Sequence, residues 1–250
     1  MRIETGFLSS ISNPQSEIRN SESPCGITPA ILAQMRAIVF DMDGLMIDSE
    51  KVYWAVGREM AREFGKEVSD QTLGKMMGRS PIQSIEIYAQ DLGLSQSPHQ
   101  LLELREKRVL RMLERGVDPM PGLFEVLKEF KPRYKLAIAT SAPMYLVDVI
   151  AKTLNLRPYF DAIQTSDDVI NGKPDPEIYL KAMARLGVPP AECAVLEDSS
   201  NGARAGKRSG AYTIAVPSQY TRDQDFGFVD YVARDLKDAA RHLEMLNETM

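Results

Sequence analysis

Ile38-Val39-Phe40-Asp41-Met42-Asp43-Gly44 decides the fold: an apolar run that reads as a buried strand ends in two carboxylates one residue apart, then a glycine. An ionised carboxylate without a partner is costly to desolvate, so a cation or a reaction belongs beside these acids. A divalent metal with a phosphate is the leading candidate. Successive strand side chains point to opposite faces, so Asp41 and Asp43 share one. Gly44 permits the turn that would expose both at the carboxyl edge of a sheet, where open parallel sheets bind ligands. An Asp-x-Asp alone is weak, because acids also end ordinary strands and begin turns.

Three further apolar runs each lead to polar groups. Lys135-Leu136-Ala137-Ile138-Ala139 precedes Thr140-Ser141, Phe160-Asp161-Ala162-Ile163-Gln164 precedes a loop carrying Lys173, and Cys193-Ala194-Val195-Leu196 precedes Glu197-Asp198. One edge of a sheet would gather them all. Four spaced motifs are far less prone to chance than one.

In this order the motifs resemble those of the haloacid dehalogenase superfamily of phosphotransferases. Asp41-x-Asp43-Gly44 is similar to its first motif, Thr140-Ser141 to its second, Lys173 within Gly172-Lys173-Pro174-Asp175-Pro176 to its third, and Glu197-Asp198-Ser199 to its fourth. The likeness runs over residues 35 to 235, and is strongest toward the branch with β-phosphoglucomutase and sugar phosphatases. It implies a Rossmann-like parallel α/β core, strand order 5-4-1-2-3, and an inserted α-helical cap.

The resemblance also implies chemistry. Asp41 would be the nucleophile, forming an aspartyl-phosphate, and Asp43 the general acid and base. Thr140, Ser141 and Lys173 would bind phosphate; Asp41, the backbone carbonyl of Asp43, and Asp198 would hold Mg2+. Glu197 could ligate the metal directly, ligate through water, or only orient Lys173. Arg79, in Met77-Gly78-Arg79-Ser80, resembles substrate-binding residues of sugar- and nucleotide-phosphatase caps, though a surface helix start would look the same. An acid at position 43 separates phosphoryl transfer from dehalogenation. Phosphatase and mutase share the intermediate; Pro143-Met144 and Pro81 stand where mutases carry a Lys-Asn pair and an Arg, favouring the phosphatase. A catalytically dead binding or scaffold protein is the rival from another class.

The net charge of −5 argues against a broad nucleic-acid surface, and no apolar run reaches the roughly 20 residues of a membrane span. The expected partner is a small phosphorylated metabolite, and the expected state a cytoplasmic monomer. Arg204, Lys207, Arg208 and the cations of residues 105–115 read as solvated helix faces. Cys25 and Cys193 make no disulfide framework; Cys193 reads as a small buried residue, and His99 and His242 as surface positions.

Residues 1–34 sustain no period and read as a flexible tail, with Met35 a candidate start. Residues 35–49 and 117–250 read as the core and 50–116 as the cap. Within the cap Val52, Val56, Met60 and Phe64 recur at i+4 before Gly65, Pro81 begins a further helix reaching about Leu92, and Pro98 precedes a longer one from about His99 to Arg115. Five core strands are expected near 36–41, 135–140, 161–165, 193–197 and 212–216.

Overall fold

The computed structural model describes residues 35–77 and 79–248. The expectations for residues 1–34 lie outside these. Strand β1, Ala37–Phe40, is fully buried and leads into four helices, α1 (Ser49–Glu63), α2 (Asp70–Met76), α3 (Pro81–Leu92) and α4 (Pro98–Arg115). Helix and strand then alternate: α5 (Leu123–Phe130), β2 (Lys135–Ala139), α6 (Met144–Thr153), β3 (Ala162–Gln164), α7 (Glu177–Leu186), β4 (Cys193–Glu197), α8 (Ser200–Ser209), β5 (Tyr212–Ala215), β6 (Tyr231–Val232) and α9 (Leu236–Glu248).

Local chemistry explains the helix limits. Asp48 caps α1 by accepting from the Lys51 N–H at 3.3 Å, and Val52, Val56 and Met60 bury its apolar stripe. Helices α3 and α4 begin with reciprocal capping boxes, Ser80 with Gln83 and Ser97 with Gln100, each followed by proline at the first helical position. Helix α2 is a short element that the i+4 pattern does not single out.

The sheet runs β3-β2-β1-β4-β5-β6, every pair parallel, with Phe40 opposite Ile138 on one side and Leu196 on the other. The expected five-strand order holds. The sixth strand, unforeseen, is two residues long and pairs Ile214 with Tyr231 and Ala215 with Val232, too short to show any alternation.

The two faces of the sheet differ in side-chain size. Ala37, Val39, Ala137 and Ala139 form one face, whose small side chains let α7 settle with Ile178, Tyr179, Ala182 and Met183 against it. Ile38, Phe40, Leu136 and Ile138 face the other way, into the larger core beneath α5 and α6. Each fully buried Ile, Leu or Met on these faces contributes about 1.5–3 kcal/mol. No helix among the described residues is long and apolar enough to cross a membrane.

Cys193 is buried as expected, and His99 is exposed. His242 is not a free surface residue: its ring stacks on Tyr231 with centroids 3.6 Å apart and hydrogen-bonds the Tyr212 hydroxyl at 2.8 Å, because α9 lies across the β5–β6 edge. The cationic helix faces are also more than solvated. Arg108 is 10% exposed and pairs with Glu59 at 2.6 Å and with Glu63, joining α4 to α1. Lys207 binds Asp230 at 2.7 Å, Arg204 stacks over Phe228, and Arg208 donates to the Pro174 carbonyl at 3.0 Å. Lys107, Arg111 and Arg115 do stand in solvent.

Candidate active site

The carboxyl ends of β1, β2 and β4 meet at one edge. Beyond β1 the ladder continues for one more hydrogen bond, Asp41 N–H to the Leu196 carbonyl at 3.0 Å, which fixes Asp41 before the chain turns. The turn closes through Gly44 N–H to Ile47 O at 2.9 Å and Met46 N–H to Met42 O at 2.9 Å. Gly44 has φ +81°, and a Cβ there would lie 2.2 Å from Asp198 Oδ2, so glycine serves both the backbone and the close approach of the β4 loop.

Lys173 reaches across from the loop before α7. Its ammonium donates to Asp41 Oδ1 at 2.5 Å, Glu197 Oε1 at 2.7 Å and the Ala139 carbonyl at 3.2 Å, and lies 4.9 Å from the Tyr179 ring centroid. Its three N–H groups are all committed. Burial works against the charge, but Asp41 and then Glu197 outweigh it and hold the ammonium well above the usual lysine range.

Glu197 is saturated. Oε1 accepts from Lys173 and from the Tyr179 hydroxyl at 2.8 Å; Oε2 accepts from Ser199 N–H at 2.9 Å and Ser199 Oγ at 3.0 Å. A Cβ on Gly202 would fall 1.5 Å from Glu197 Oε1, so α8 presses its backbone against this carboxylate. Of the three roles open in the sequence, orienting Lys173 is the one these contacts occupy. Ser199 also accepts from Gly202 N–H at 3.1 Å, capping α8.

Asp198 is the opposite case: 7% exposed, with no hydrogen-bond donor on its carboxylate among the described residues. Burial, then Glu197 and Asp41, raise its pKa well above the ordinary value; Asp41 and Asp43 are raised too, chiefly by burial. Four carboxyl groups thus surround one ammonium. Asp41, Glu197 and Asp198 each place a carboxylate oxygen within 4.8 Å of the others. With Glu197 filled and Asp41 Oδ1 on Lys173, Asp41 Oδ2 and the Asp198 carboxylate are the free oxygens, a donor set that fits a hard divalent cation.

Thr140 Oγ1 donates to Asp43 Oδ2 at 3.1 Å and accepts from Ala142 N–H at 3.1 Å. Its proton therefore goes to Asp43. Ser141 is exposed and lines the same cavity, of about 440 Å³, which opens above Asp41, Asp43, Lys173 and Asp198. Arg79 lines it as well, exposed and without a hydrogen bond or ion pair among the described residues.

Several lining residues have no counterpart among the sequence candidates: Glu50 and Tyr53 on the first turns of α1, Trp54 beside them, and Arg105 on α4. Tyr179, the buried donor to Glu197, belongs with them. The signal that could have found Glu50 is its place directly after Asp48-Ser49, one helical turn from Tyr53 and Trp54. Arg105 is indistinguishable in sequence from its exposed neighbour Lys107.

Comparison with known proteins agrees with this geometry. Residues 38–216 match the family profile of haloacid dehalogenase-like hydrolases. A phosphorylated carbohydrates phosphatase of Thermotoga maritima is 35% identical over 181 residues, 72% of this chain and 84% of the relative. The fructose-1-phosphate phosphatase YqaB of Escherichia coli is 31% identical, over 72% of this chain and 95% of its own. Among solved structures, CbbY from Rhodobacter sphaeroides in complex with phosphate superposes with a TM-score of 0.71 at 25% identity, covering 81% of this chain and 95% of that one.

Proposed function

The chain belongs to the haloacid dehalogenase-like hydrolase family and is a phosphoric monoester hydrolase, and we propose that it is a magnesium-dependent phosphatase of a small sugar-phosphate or nucleotide-like ester, working through an aspartyl-phosphate. The observation that carries this reading is the asymmetry at Asp41. One oxygen is held by Lys173 at 2.5 Å and the other makes no hydrogen bond among the described residues, with the Asp198 carboxylate in the same acidic cluster, beneath a cavity that also reaches Asp43.

In the proposed reaction an oxygen of Asp41 attacks phosphorus, the bond to the ester oxygen breaks, and that oxygen takes its proton from Asp43. Asp43, now ionised, takes a proton from water, whose oxygen attacks phosphorus and breaks the bond to Asp41, releasing inorganic phosphate. Lys173 offsets charge on Asp41 and the phosphoryl group, Ser141 offers its hydroxyl to a phosphoryl oxygen, and Thr140 orients Asp43. Asp41, Asp198 and the backbone carbonyl of Asp43 would hold Mg2+, which when bound neutralises the phosphoryl oxygens and the surplus of carboxylates. Residues 50–116 would act as a cap over the 35–49 and 117–250 core, with Arg79 meeting the substrate. A cytoplasmic monomer acting on a small phosphorylated metabolite completes the proposal.

Phosphate release from p-nitrophenyl phosphate by the purified chain, with and without Mg2+, tests it. Asp41→Asn should abolish turnover while the far-UV circular dichroism stays unchanged. Activity retained within about tenfold, only about 1.4 kcal/mol of barrier, would rule out the covalent role of Asp41. Full activity after exhaustive chelation would rule out the metal.

A further inference from the structure

Above the proposed catalytic carboxylates, three polar side chains line the cavity, two without a partner and one with a single long contact. Glu50 makes no hydrogen bond or ion pair among the described residues, nor does the Tyr53 hydroxyl, and Arg105 has only a 3.4 Å contact with the Pro81 carbonyl. All three are partly buried. Leaving a carboxylate and a guanidinium half-desolvated and unpaired is costly, and joining them would be the simplest relief. They are near enough for the Arg105 charge to act on Glu50, yet no ion pair links them. Burial foremost, then Asp43 and Asp48, push Glu50 up to about 7 against the opposing pull of Arg105.

We propose that Glu50 and Arg105, with Tyr53 beside them, form a specificity slot that reads neighbouring hydroxyls on an uncharged, polyhydroxylated leaving group. The proposal deepens the phosphatase reading above and rests on it. A guanidinium only donates hydrogen bonds, and at pH 8, above the value of Glu50, its ionised carboxylate only accepts them. A group seated between the two must therefore do both. Adjacent hydroxyls do, one accepting from Arg105 while the other donates to Glu50. A second phosphate or a carboxylate on the substrate would satisfy Arg105 and be repelled by Glu50; an ammonium group would do the reverse; an apolar group would satisfy neither. Tyr53 and Trp54 line the same cavity and supply aromatic surface for the C–H side of a sugar or polyol. Glu50 and Tyr53 sit on α1 and Arg105 on α4, helices tied together by Arg108 with Glu59 and Glu63, so the slot is held by a braced pair.

The test, at pH 8, compares fructose 1-phosphate, fructose 1,6-bisphosphate, uridine 5′-monophosphate and p-nitrophenyl phosphate in the magnesium-loaded full chain, for wild type, Arg105→Ala, Arg105→Lys and Glu50→Gln. The measured quantity is selectivity, kcat/KM for each ester over that for p-nitrophenyl phosphate, which has no hydroxyl to read. For fructose 1-phosphate it should fall tenfold or more in Arg105→Ala and Glu50→Gln, mostly through KM, with partial rescue in Arg105→Lys. Wild type should prefer fructose 1-phosphate to the bisphosphate. Equal losses on fructose 1-phosphate and p-nitrophenyl phosphate, a preference for the bisphosphate, or a selectivity loss confined to uridine 5′-monophosphate would each overturn the slot. Wild type that hydrolyses p-nitrophenyl phosphate while the variants keep their selectivity sinks this inference alone. Wild type that hydrolyses none of the four esters sinks the phosphatase reading. Should Arg105→Ala misfold by circular dichroism, Glu50→Gln, which keeps its volume, decides.

Discussion

Thr140 Oγ1 donates to Asp43 Oδ2 across 3.1 Å, tying the end of β2 to the turn that follows β1. The same oxygen accepts from Ala142 N–H, so the hydroxyl has one direction in which to send its proton. Asp43, which lines the cavity, is thereby tethered to the end of β2.

Thr140→Val keeps the shape of the side chain and removes that donor. We expect kcat to fall by roughly one to two orders of magnitude, with KM for p-nitrophenyl phosphate changing much less, since the loss touches the proton transfer proposed for Asp43 rather than binding. Thr140→Ser, which keeps the hydroxyl, should restore most of the rate. A Thr140→Val enzyme with wild-type kcat would mean that Asp43 needs no such restraint.

Glu197 makes the opposite demand on its surroundings, with four donors converging on two oxygens. In Glu197→Gln the amide nitrogen must face donors, and Lys173 loses one of its two carboxylates. Breaking one partner of a buried, hydrogen-bonded ion pair costs about 3–5 kcal/mol. A lower midpoint in urea unfolding should accompany a large loss of activity. Gly202→Ala should injure the same carboxylate from the other side, because its Cβ would fall 1.5 Å from Glu197 Oε1. A fully stable, active Gly202→Ala would show that α8 can back away.

Glu177 braces the loop that carries Lys173: its carboxylate accepts from Ile170 N–H at 3.1 Å and Asn171 N–H at 2.9 Å, and pairs with Lys181 at 2.6 Å. Lys181 first, then the Asn171 and Ile170 amides, lower it to about 2. A depressed carboxylate contributes stability in full above its unfolded value, about 4.3, and loses it as pH falls through the folded value. The gap in melting temperature between wild type and Glu177→Gln should therefore be widest above pH 5 and should close toward pH 2. A constant gap across that range would mean that the carboxylate charge plays no part in holding the loop.

Where sequence and structure agree, the signal was local. An apolar run ending in Asp41-x-Asp43-Gly44, a proline at the first turn of α3 and α4, and an i+4 stripe on α1 are each set by neighbours in the chain. Where they part, the deciding neighbour is distant. Arg105, Lys107 and Arg108 lie within one turn of α4, yet one faces the cavity, one faces solvent and one is sandwiched by Glu59 and Glu63. No charge pattern records which side of a helix meets α1. The stacking of His242 on Tyr231 depends on β6, two residues too short to announce themselves. The position of Thr140 was legible; the commitment of its proton to Asp43, 97 residues away in the turn after β1, was not.

In the proposed mechanism, capture of the phosphorylated Asp41 decides between hydrolysis and transfer to a second sugar hydroxyl. A mutase must grip a second phosphate while the sugar turns over. At the start of α6 Pro143 has no N–H to offer, and the Met144 N–H is already bound to Asp167 Oδ2 at 2.8 Å. The Asp167 carboxylate adds a negative charge beside that N–H. Pro81, on the cavity wall, adds neither charge nor donor. Water should therefore win. With β-glucose 1-phosphate, Mg2+ and glucose 1,6-bisphosphate as primer, inorganic phosphate should appear faster than glucose 6-phosphate. Replacing Asp167 with Asn should not reverse that order, because the missing N–H at Pro143 remains. Glucose 6-phosphate forming faster than phosphate in the wild-type enzyme would replace the phosphatase by a mutase, since the chemistry proposed for Asp41 and Asp43 serves both.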